Sequence, residues 1–287
     1  MGVVKREGIR QSFVNYIATA IGMVNVLYIY PKFLEPAELG LFQFINNTAL
    51  LLVPFSMFGI NSLVVKFFPQ VENGPKKHNN FFTFILLLSL LSFTIFFSIL
   101  YLNQGRLGTL FKGDNEVIVK YFGLIAVLVF LMQTNTLLSS FLLNFKKLVV
   151  PAIMNQLIKV VIPITVVLKA YNDWSFESIA AGLFINYALI FIILVAYLAW
   201  MRELRIGTDF SFFKGPILKE MRAFASYGLL GSLGTVLATR IDVFMVANLS
   251  TLDFTGVYVI GAAIANVINI PISSINSITC SLVSSAG

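Results

Sequence analysis

Apolar residues fill the chain in long blocks, and polar residues gather in the short segments between them. The blocks run from just after Ser12 to Tyr30, then Leu39 to Phe68, Phe81 to Leu102, Val117 to Leu143, Val149 to Leu168, Ile179 to Met201, Phe224 to Leu249, and Phe254 to the end. Each is long enough to cross a bilayer as a helix, which takes about 20 residues. None shows the alternation over about ten residues that marks a barrel strand. The pattern predicts an all-α polytopic transmembrane helical bundle of about eight spans. The connections carry the breakers, as in Glu35-Pro36, Asn73-Gly74-Pro75, Gly113-Asp114-Asn115 and Asn172-Asp173. The longest, Arg202 to Arg222, marks a lobe boundary. The first block is too long for a signal-peptide core, and Tyr30-Pro31-Lys32-Phe33 follows it in place of a small-residue cleavage site. Arg6 stands where a myristoylation signal needs Ser or Thr.

Composition sharpens this picture. Of 287 residues, 58% are hydrophobic and 11% charged, and the mean hydropathy is +0.88. A soluble domain carries about 25% charged residues, so this chain cannot cover itself with a hydrated surface. A soluble enzyme, a disordered chain and a secreted disulfide scaffold are excluded. Cys280 is the one cysteine and His78 the one histidine, too few for a disulfide or for zinc or haem ligation. The net charge of +7 suits basic loops on a membrane face and anionic cargo better than nucleic acid.

Lys and Arg fall unequally on alternate sides. With the N-terminus inside, the inner segments hold Lys5, Arg6, Arg10, Lys66, Lys76, Lys77, Lys146, Lys147, Arg202, Arg205, Lys214, Lys219 and Arg222. The outer segments hold only Lys32, Arg106, Lys112, Lys120 and Lys169. This bias predicts a multi-pass protein with a cytoplasmic N-terminus.

The first and seventh spans and their sequels form an internal repeat. Leu34 to Phe42, running on to Pro54, matches Leu249 to Tyr258, running on to Pro271. Both have a short turn, an acid, a glycine, an aromatic, a polar stretch (Asn46-Asn47; Asn266 to Asn269) and a mid-helix proline. Six spans separate the copies, so both keep one orientation, as in parallel repeats about an axis along the membrane normal.

The Pro31-to-Gly40 turn, Phe67-Phe68-Pro69, and Thr239-Arg240-Ile241-Asp242-Val243-Phe244-Met245 leading to Gly256-Val257-Tyr258 resemble the polysaccharide and oligosaccharide flippases of the multidrug/oligosaccharidyl-lipid/polysaccharide exporter superfamily. Wzx-type O-antigen flippases are its best-known members, and the resemblance covers essentially the whole chain. It implies a carrier in the cytoplasmic (inner) membrane, moving polyprenyl-diphosphate-linked precursors of O-antigen, lipopolysaccharide or capsular polysaccharide by alternating access. Glycan polymerases and glycosyltransferases of one pathway are the implied partners, beside the lipid-linked oligosaccharide and membrane lipids. Such proteins usually have twelve to fourteen spans in two lobes. The expected organisation is therefore a six-helix lobe over 1–201, a cytoplasmic linker over 202–222, and a truncated start of a second lobe over 223–287.

Polar groups within the spans are the candidates for function, because each needs a partner or a wet cavity. At helical spacing, Asn15, Thr19, Gly22 and Asn25 form one stripe. So do Gln43, Asn47, Pro54 and Asn61; Gln133, Thr136, Ser140 and Asn144; and Asn266, Asn269, Ser273 and Asn276. Each stripe could bond sugar hydroxyls or glue helices together; four stripes favour a hydrated central cavity. The third span offers only Ser and Thr, which bond their own backbone, and is expected to face lipid. Lys159 lies mid-span beside Asn155 and Gln156, with Pro163 at i+4. Arg240 and Asp242 stand two apart, about 200° around a helix, so they cannot pair on one face. Asp242 continues the stripe Gly231, Thr235, Ala238 toward the interlobe cavity or the first lobe. For both, a cavity role and a buried interhelical ion pair stay open. The expected cavity set is Lys159, Arg240, Asp242, Asn15, Asn25, Asn47, Gln133, Asn155, Asn266 and Asn269. Arg10 and Lys66 are positive-inside anchors or phosphate guides. Cations would offset diphosphate charge, and Asp242 or Lys159 could titrate as a coupling site.

No GxxxxGK[ST] phosphate loop is present, and no cofactor is expected. A MATE-like drug/cation antiporter of the same superfamily would want an acid in the first span, which has only Asn15 and Asn25. A membrane-embedded glycan polymerase, ligase or acyltransferase would want a catalytic set on a large outer loop, and the outer loops are short. A non-transporting scaffold stays open.

Overall fold

The computed structural model describes residues 2–71, 77–103, 115–203, 207 and 216–265. In chain order the helices are α1 (Gly2–Val24), a π-helical turn (Asn25–Ile29), α2 (Tyr30–Phe33), α3 (Pro36–Met57), α4 (Ile60–Val71), α5 (Lys77–Leu102), α6 (Asn115–Asn144), α7 (Val149–Asn155), α8 (Ile158–Asn172), α9 (Glu177–Trp200), α10 (Pro216–Leu249) and α11 (Leu252–Ala265). Among the described residues no strand forms. Seven helical stretches are long and apolar enough to span a bilayer, and α11 is a shorter apolar helix. The protein is an all-α polytopic membrane bundle. Asn266, Asn269 and Cys280, and with them the fourth stripe, lie outside the described residues.

Three of the apolar blocks are broken rather than continuous, and a proline accompanies each break. The second block splits into α3 and α4 at Phe58 (φ 46°) and Gly59 (φ 75°), just after Pro54. A Cβ on Gly59 would lie 1.9 Å from the Ala225 carbonyl oxygen, so glycine serves both the left-handed turn and the close approach of α10. The first block carries the π turn ahead of Pro31. The fifth splits between α7 and α8, seven residues before Pro163.

Lipid is as apolar as the side chains, so packing and polar glue hold such helices together more than water exclusion does. Near the α4 end of the bundle, Phe68 meets Phe81, Phe141 and Phe145 edge-on at 6.2, 5.8 and 5.2 Å. Toward the other end Ile45, Ala49, Leu128, Val129, Ile162 and Leu183 are fully buried. Between these clusters Gln133 of α6 knots three helices. Its Oε1 accepts the Ser56 hydroxyl of α3 at 2.7 Å, and its Nε2 donates to the Ser89 carbonyl and hydroxyl of α5 at 3.1 Å each. Further along, Ser140 donates to Asn61, and Asn144 Nδ2 donates to the Val64 carbonyl at 3.0 Å.

The placement of Gln133 corrects the expectation of a cavity-lining role. It is fully buried, and both ends of its amide are spent on neighbouring helices. The third span, α5, turns Leu87, Leu91, Ile95 and Ile99 outward, and Ser92 and Thr94 bond their own backbone. Ser89 does not follow that expectation, since it serves Gln133.

Helix α10 lies antiparallel along α3 and α4. Going along the seam, Glu220 meets Lys66, Gly228 meets Ser62, Arg240 meets Asn47, and Phe244 stacks on Phe44 at 6.2 Å. At its far end the chain turns into α11, which crosses the start of α3 through glycines. A Cβ on Gly40 would lie 1.9 Å from the Leu252 carbonyl oxygen, and one on Gly256 would lie 2.1 Å from that of Pro36. Gly40 and Gly256 stand 216 positions apart, and so do Pro36 and Leu252. The helix starts match too. Glu35 caps the Glu38 N–H, and the Thr251 hydroxyl accepts from the Phe254 N–H at 3.4 Å; both residues are shifted by that same 216. The two copies of the sequence repeat thus meet each other in a self-complementary contact.

Candidate functional site

The stripe on α1 faces the broken fifth span along its whole length. Asn15 Oδ1 accepts from Gln156 Nε2 at 3.3 Å, and Thr19 donates to the Asn15 carbonyl at 2.8 Å. The stem of Lys159 lies over Gly22, where a Cβ would stand 3.3 Å from both Cδ and Cε. Asn25, 3% exposed, donates from Nδ2 to the Lys159 carbonyl at 2.7 Å. Local chemistry explains that last bond. Pro163 has no N–H, so the carbonyl four residues earlier, that of Lys159, loses its helical donor. A carbonyl left unpaired in a membrane is costly, and Asn25 supplies the missing donor from the next helix.

The Lys159 ammonium is left over from this arrangement. The side chain is half-buried, and among the described residues the ion pairs are Lys66–Glu220, Lys120–Glu177 and Lys169–Glu38, none of which involves Lys159. Asn155, exposed, and Gln156 stand one turn before it. The result is a lone cation beside neutral amides, partway along a span. A lone intramembrane cation of this kind suits an anionic ligand.

A second polar group lies on the α3–α10 seam. Arg240 Nη1 donates to Asn47 Oδ1 at 3.0 Å. Asn47, 2% exposed, donates in turn to the Gln43 carbonyl and Oε1 at 2.8 and 3.1 Å. Arg240 therefore bridges the two repeat copies. Asp242 does not share this contact. Its Oδ1 accepts the Val243 N–H and its Oδ2 the Tyr258 hydroxyl of α11, each at 2.8 Å. The 200° between the two positions sends Arg240 across the seam to α3, while Asp242, exposed, bonds its own following helix.

Lys66 is engaged as well. It pairs with Glu220 at 2.9 Å and sits 4.3 Å from the centre of the Phe224 ring. Arg10 is exposed in the first half of α1. The structure thus joins Asn25 to Lys159 and Asn15 to Gln156 along one helix pair, joins Asn47 to Arg240 on another seam, and puts Gln133 in neither. An open pocket of about 400 Å³ lies elsewhere, at the helix ends, lined by Lys32, Phe33, Leu34, Glu35, Glu38 and Lys169.

Two features escaped the sequence reading. The role of Pro163 in freeing a carbonyl was readable from its spacing to Lys159, but the donor, Asn25, is 134 residues away. Tyr187, whose hydroxyl donates to Asn46 at 2.9 Å, and Asn186, fully buried with neither amide atom bonded among the described residues, interrupt an otherwise apolar sixth span. That interruption was the available signal.

Comparison with known proteins adds one finding. A family model described as polysaccharide biosynthesis protein matches residues 4–280. No curated protein and no solved structure matches the chain. With nearly its whole length matched, this membrane bundle belongs to the polysaccharide biosynthesis protein family.

Proposed function

We propose that the protein is a transporter rather than an enzyme, and that it flips lipid-linked oligosaccharide across the cytoplasmic membrane. Its cargo is a polyprenyl-diphosphate-linked precursor of O-antigen or capsular polysaccharide. The observation that carries this reading is the Lys159 ammonium, without an ion-pair partner among the described residues and lying over Gly22 on the α1 stripe. A diphosphate needs such a cation, and a glycan needs neutral amides to replace its water. The polyprenyl tail stays in lipid while the headgroup passes.

The self-complementary crossing of Gly40 and Gly256 supports a two-lobed organisation, with 1–201 and 223–287 contributing to different lobes about one axis. Rocking of one lobe against the other gives alternating access, with Arg240 and Asn47 on the moving seam. The excess of Lys and Arg on alternate loops supports a cytoplasmic N-terminus. Polymerases and glycosyltransferases that make and use the same lipid-linked glycan are the matching partners.

The test is complementation of a strain lacking its own O-antigen flippase, scored by surface glycan. The wild-type gene restores glycan and Lys159→Gln restores less than about a tenth of it, since one lost charge-assisted contact is worth at least tenfold. Full restoration by Lys159→Gln at equal membrane abundance removes Lys159 from cargo binding.

A further inference from the structure

We propose that the pocket at the helix ends holds the headgroup of a zwitterionic phospholipid, with the phosphate on Lys32 and the primary ammonium on Glu35. The inference does not involve Lys159 and is independent of the cargo.

The pocket, about 400 Å³ in volume, stands where three spans end. The first stops at Phe33, the second starts at Pro36, and the fifth stops at Asn172. With the cytoplasmic N-terminus proposed above, this end of the bundle meets the outer leaflet. Buried Leu34 forms the corner between α2 and α3, in extended conformation (φ −122°, ψ 141°).

Two cations and two acids line the pocket, and one of each is already spent. Glu38 pairs through Oε1 with Lys169, and its Oε2 accepts the Glu35 N–H at 3.3 Å. Lys32 and Glu35 remain, both exposed. Neither has an ion-pair partner among the described residues. The Lys32 ammonium lies 5.5 and 5.3 Å from the ring centres of Tyr28 and Phe33, which attract it without neutralising it. The Glu35 carboxylate accepts the Glu38 N–H, and a carboxylate has lone pairs for further donors. The extended corner at Leu34 separates the two side chains, so they do not pair with each other. The capping box and the Glu38–Lys169 pair hold the surrounding backbone in place.

One free charge of each sign decides the ligand. A diphosphate would meet one free cation and one free acid. A calcium ion, which takes about six to eight oxygens, would meet one free carboxylate. A ligand carrying both charges satisfies both groups at once. The setting makes that ligand a lipid. Tyr28, Tyr171 and Trp174 are all exposed at these same ends, as aromatic residues are at headgroup level. The Trp174 N–H bonds the Lys169 carbonyl, which ties this ring's backbone to the pocket wall. The ammonium should be primary, because a quaternary one has no N–H to give Glu35.

The experiment is native mass spectrometry of the full chain in detergent micelles doped with equal amounts of phosphatidylethanolamine, phosphatidylcholine and phosphatidylglycerol. The parent retains phosphatidylethanolamine about twofold to fivefold over each of the others, the worth of an exposed ion pair. Lys32→Gln and Glu35→Gln each abolish the preference. Glutamine at 35 still offers an oxygen to the Glu38 N–H, so the start of α3 stays capped. Lys120→Gln, at a separate exposed ion pair, leaves the preference intact. Equal retention of the three lipids by the parent overturns the proposal, as does a preference that survives both pocket variants or is lost in Lys120→Gln. Thermal unfolding separates lipid from soluble ligand. Phosphatidylethanolamine raises the unfolding temperature of the parent, and glycerophosphoethanolamine, the same headgroup without tails, does not. An equal rise with the two overturns the lipid assignment.

Discussion

The crossing of α3 and α11 invites a substitution that sets two terms against each other on one helix. Alanine in a helix interior is more favourable than glycine by about 0.8–1 kcal/mol. At Gly40 the new methyl would stand 1.9 Å from the Leu252 carbonyl oxygen, and at Gly256 2.1 Å from that of Pro36. Carbon and oxygen approach to about 3.3 Å, so the helices must part by about 1.2–1.4 Å. The atoms struck are backbone, and no rotamer change relieves them. Overpacking of this kind costs about 1–3 kcal/mol, and here the upper part of that range applies. Gly40→Ala and Gly256→Ala are therefore each destabilising by about 1–2 kcal/mol after the propensity gain. Gly261 lies on the same helix as Gly256, and its Cβ would meet nothing within 4 Å; Gly261→Ala keeps the gain unopposed. Thermal unfolding in detergent reads the contrast, at about 2–4 °C per kcal/mol. The double variant Gly40→Ala/Gly256→Ala should cost at least about 0.5 kcal/mol less than the two singles together, because one parting of the helices relieves both clashes. Equal shifts of the same sign for Gly40→Ala and Gly261→Ala would refute the close crossing.

Other expectations follow from the same geometry. Gly22→Leu should push the Lys159 stem off α1 and lower surface glycan in the complementation assay, with unfolding temperature changed by less than about 3 °C, since the displaced group is a flexible side chain. Gln133→Leu should destabilise the bundle by about 1–3 kcal/mol by removing the donor to the Ser89 carbonyl and hydroxyl and leaving Ser56 only the Val53 carbonyl of its own helix, and unfolding measurements with Ser56→Ala as partner should show coupling between the two sites. Lys66 and Glu220 are partly exposed, 33% and 54%, so a double-mutant cycle with Lys66→Met and Glu220→Gln should give less than about 1 kcal/mol, shrinking with added salt. Asn47→Ala and Arg240→Ala should be strongly non-additive in unfolding, because each removes the same seam contact.

The helix layout was legible because hydropathy alone decides what a bilayer will accept. The apolar blocks became helices, with the first and seventh beginning well ahead of their blocks, at Gly2 and Pro216, and Glu35-Pro36 started α3 through the cap it encodes. What hydropathy does not encode is interruption. Leu39 to Phe68 reads as one span, yet Phe58 takes φ 46°, which no pattern of apolar residues announces. Each break does have a visible cue nearby: Pro54 precedes the first of them, and Pro31 and Pro163 follow the other two. Proline tells that a helix will be disturbed. Only the neighbouring helix decides whether the disturbance becomes a turn, a π segment or a split.

The amide rows show where sequence reading stops. On the page the rows of α1 and α6 look alike, with Asn or Gln, Thr or Ser at helical spacing. In the fold Gln133 spends its amide on Ser56 and Ser89, while the row of α1 is spent on a single span and stops at Lys159. The difference lies in what each row faces. The row of α6 faces α3, α4 and α5, and Gln133, Ser140 and Asn144 each find a partner on one of those helices. Helix α1 faces a helix that Pro163 has left with a spare carbonyl, and Asn25 answers that carbonyl alone. One residue thus has its backbone satisfied by a neighbour and, among the described residues, its charge paired with none. A protein seeking only stability would place Met or Leu at 159, because removing an intramembrane charge relieves a cost of about 3 kcal/mol on insertion scales. Keeping lysine there, pinned by Asn25 and bedded on Gly22, makes sense if the ammonium is held for an anion that arrives from outside the fold.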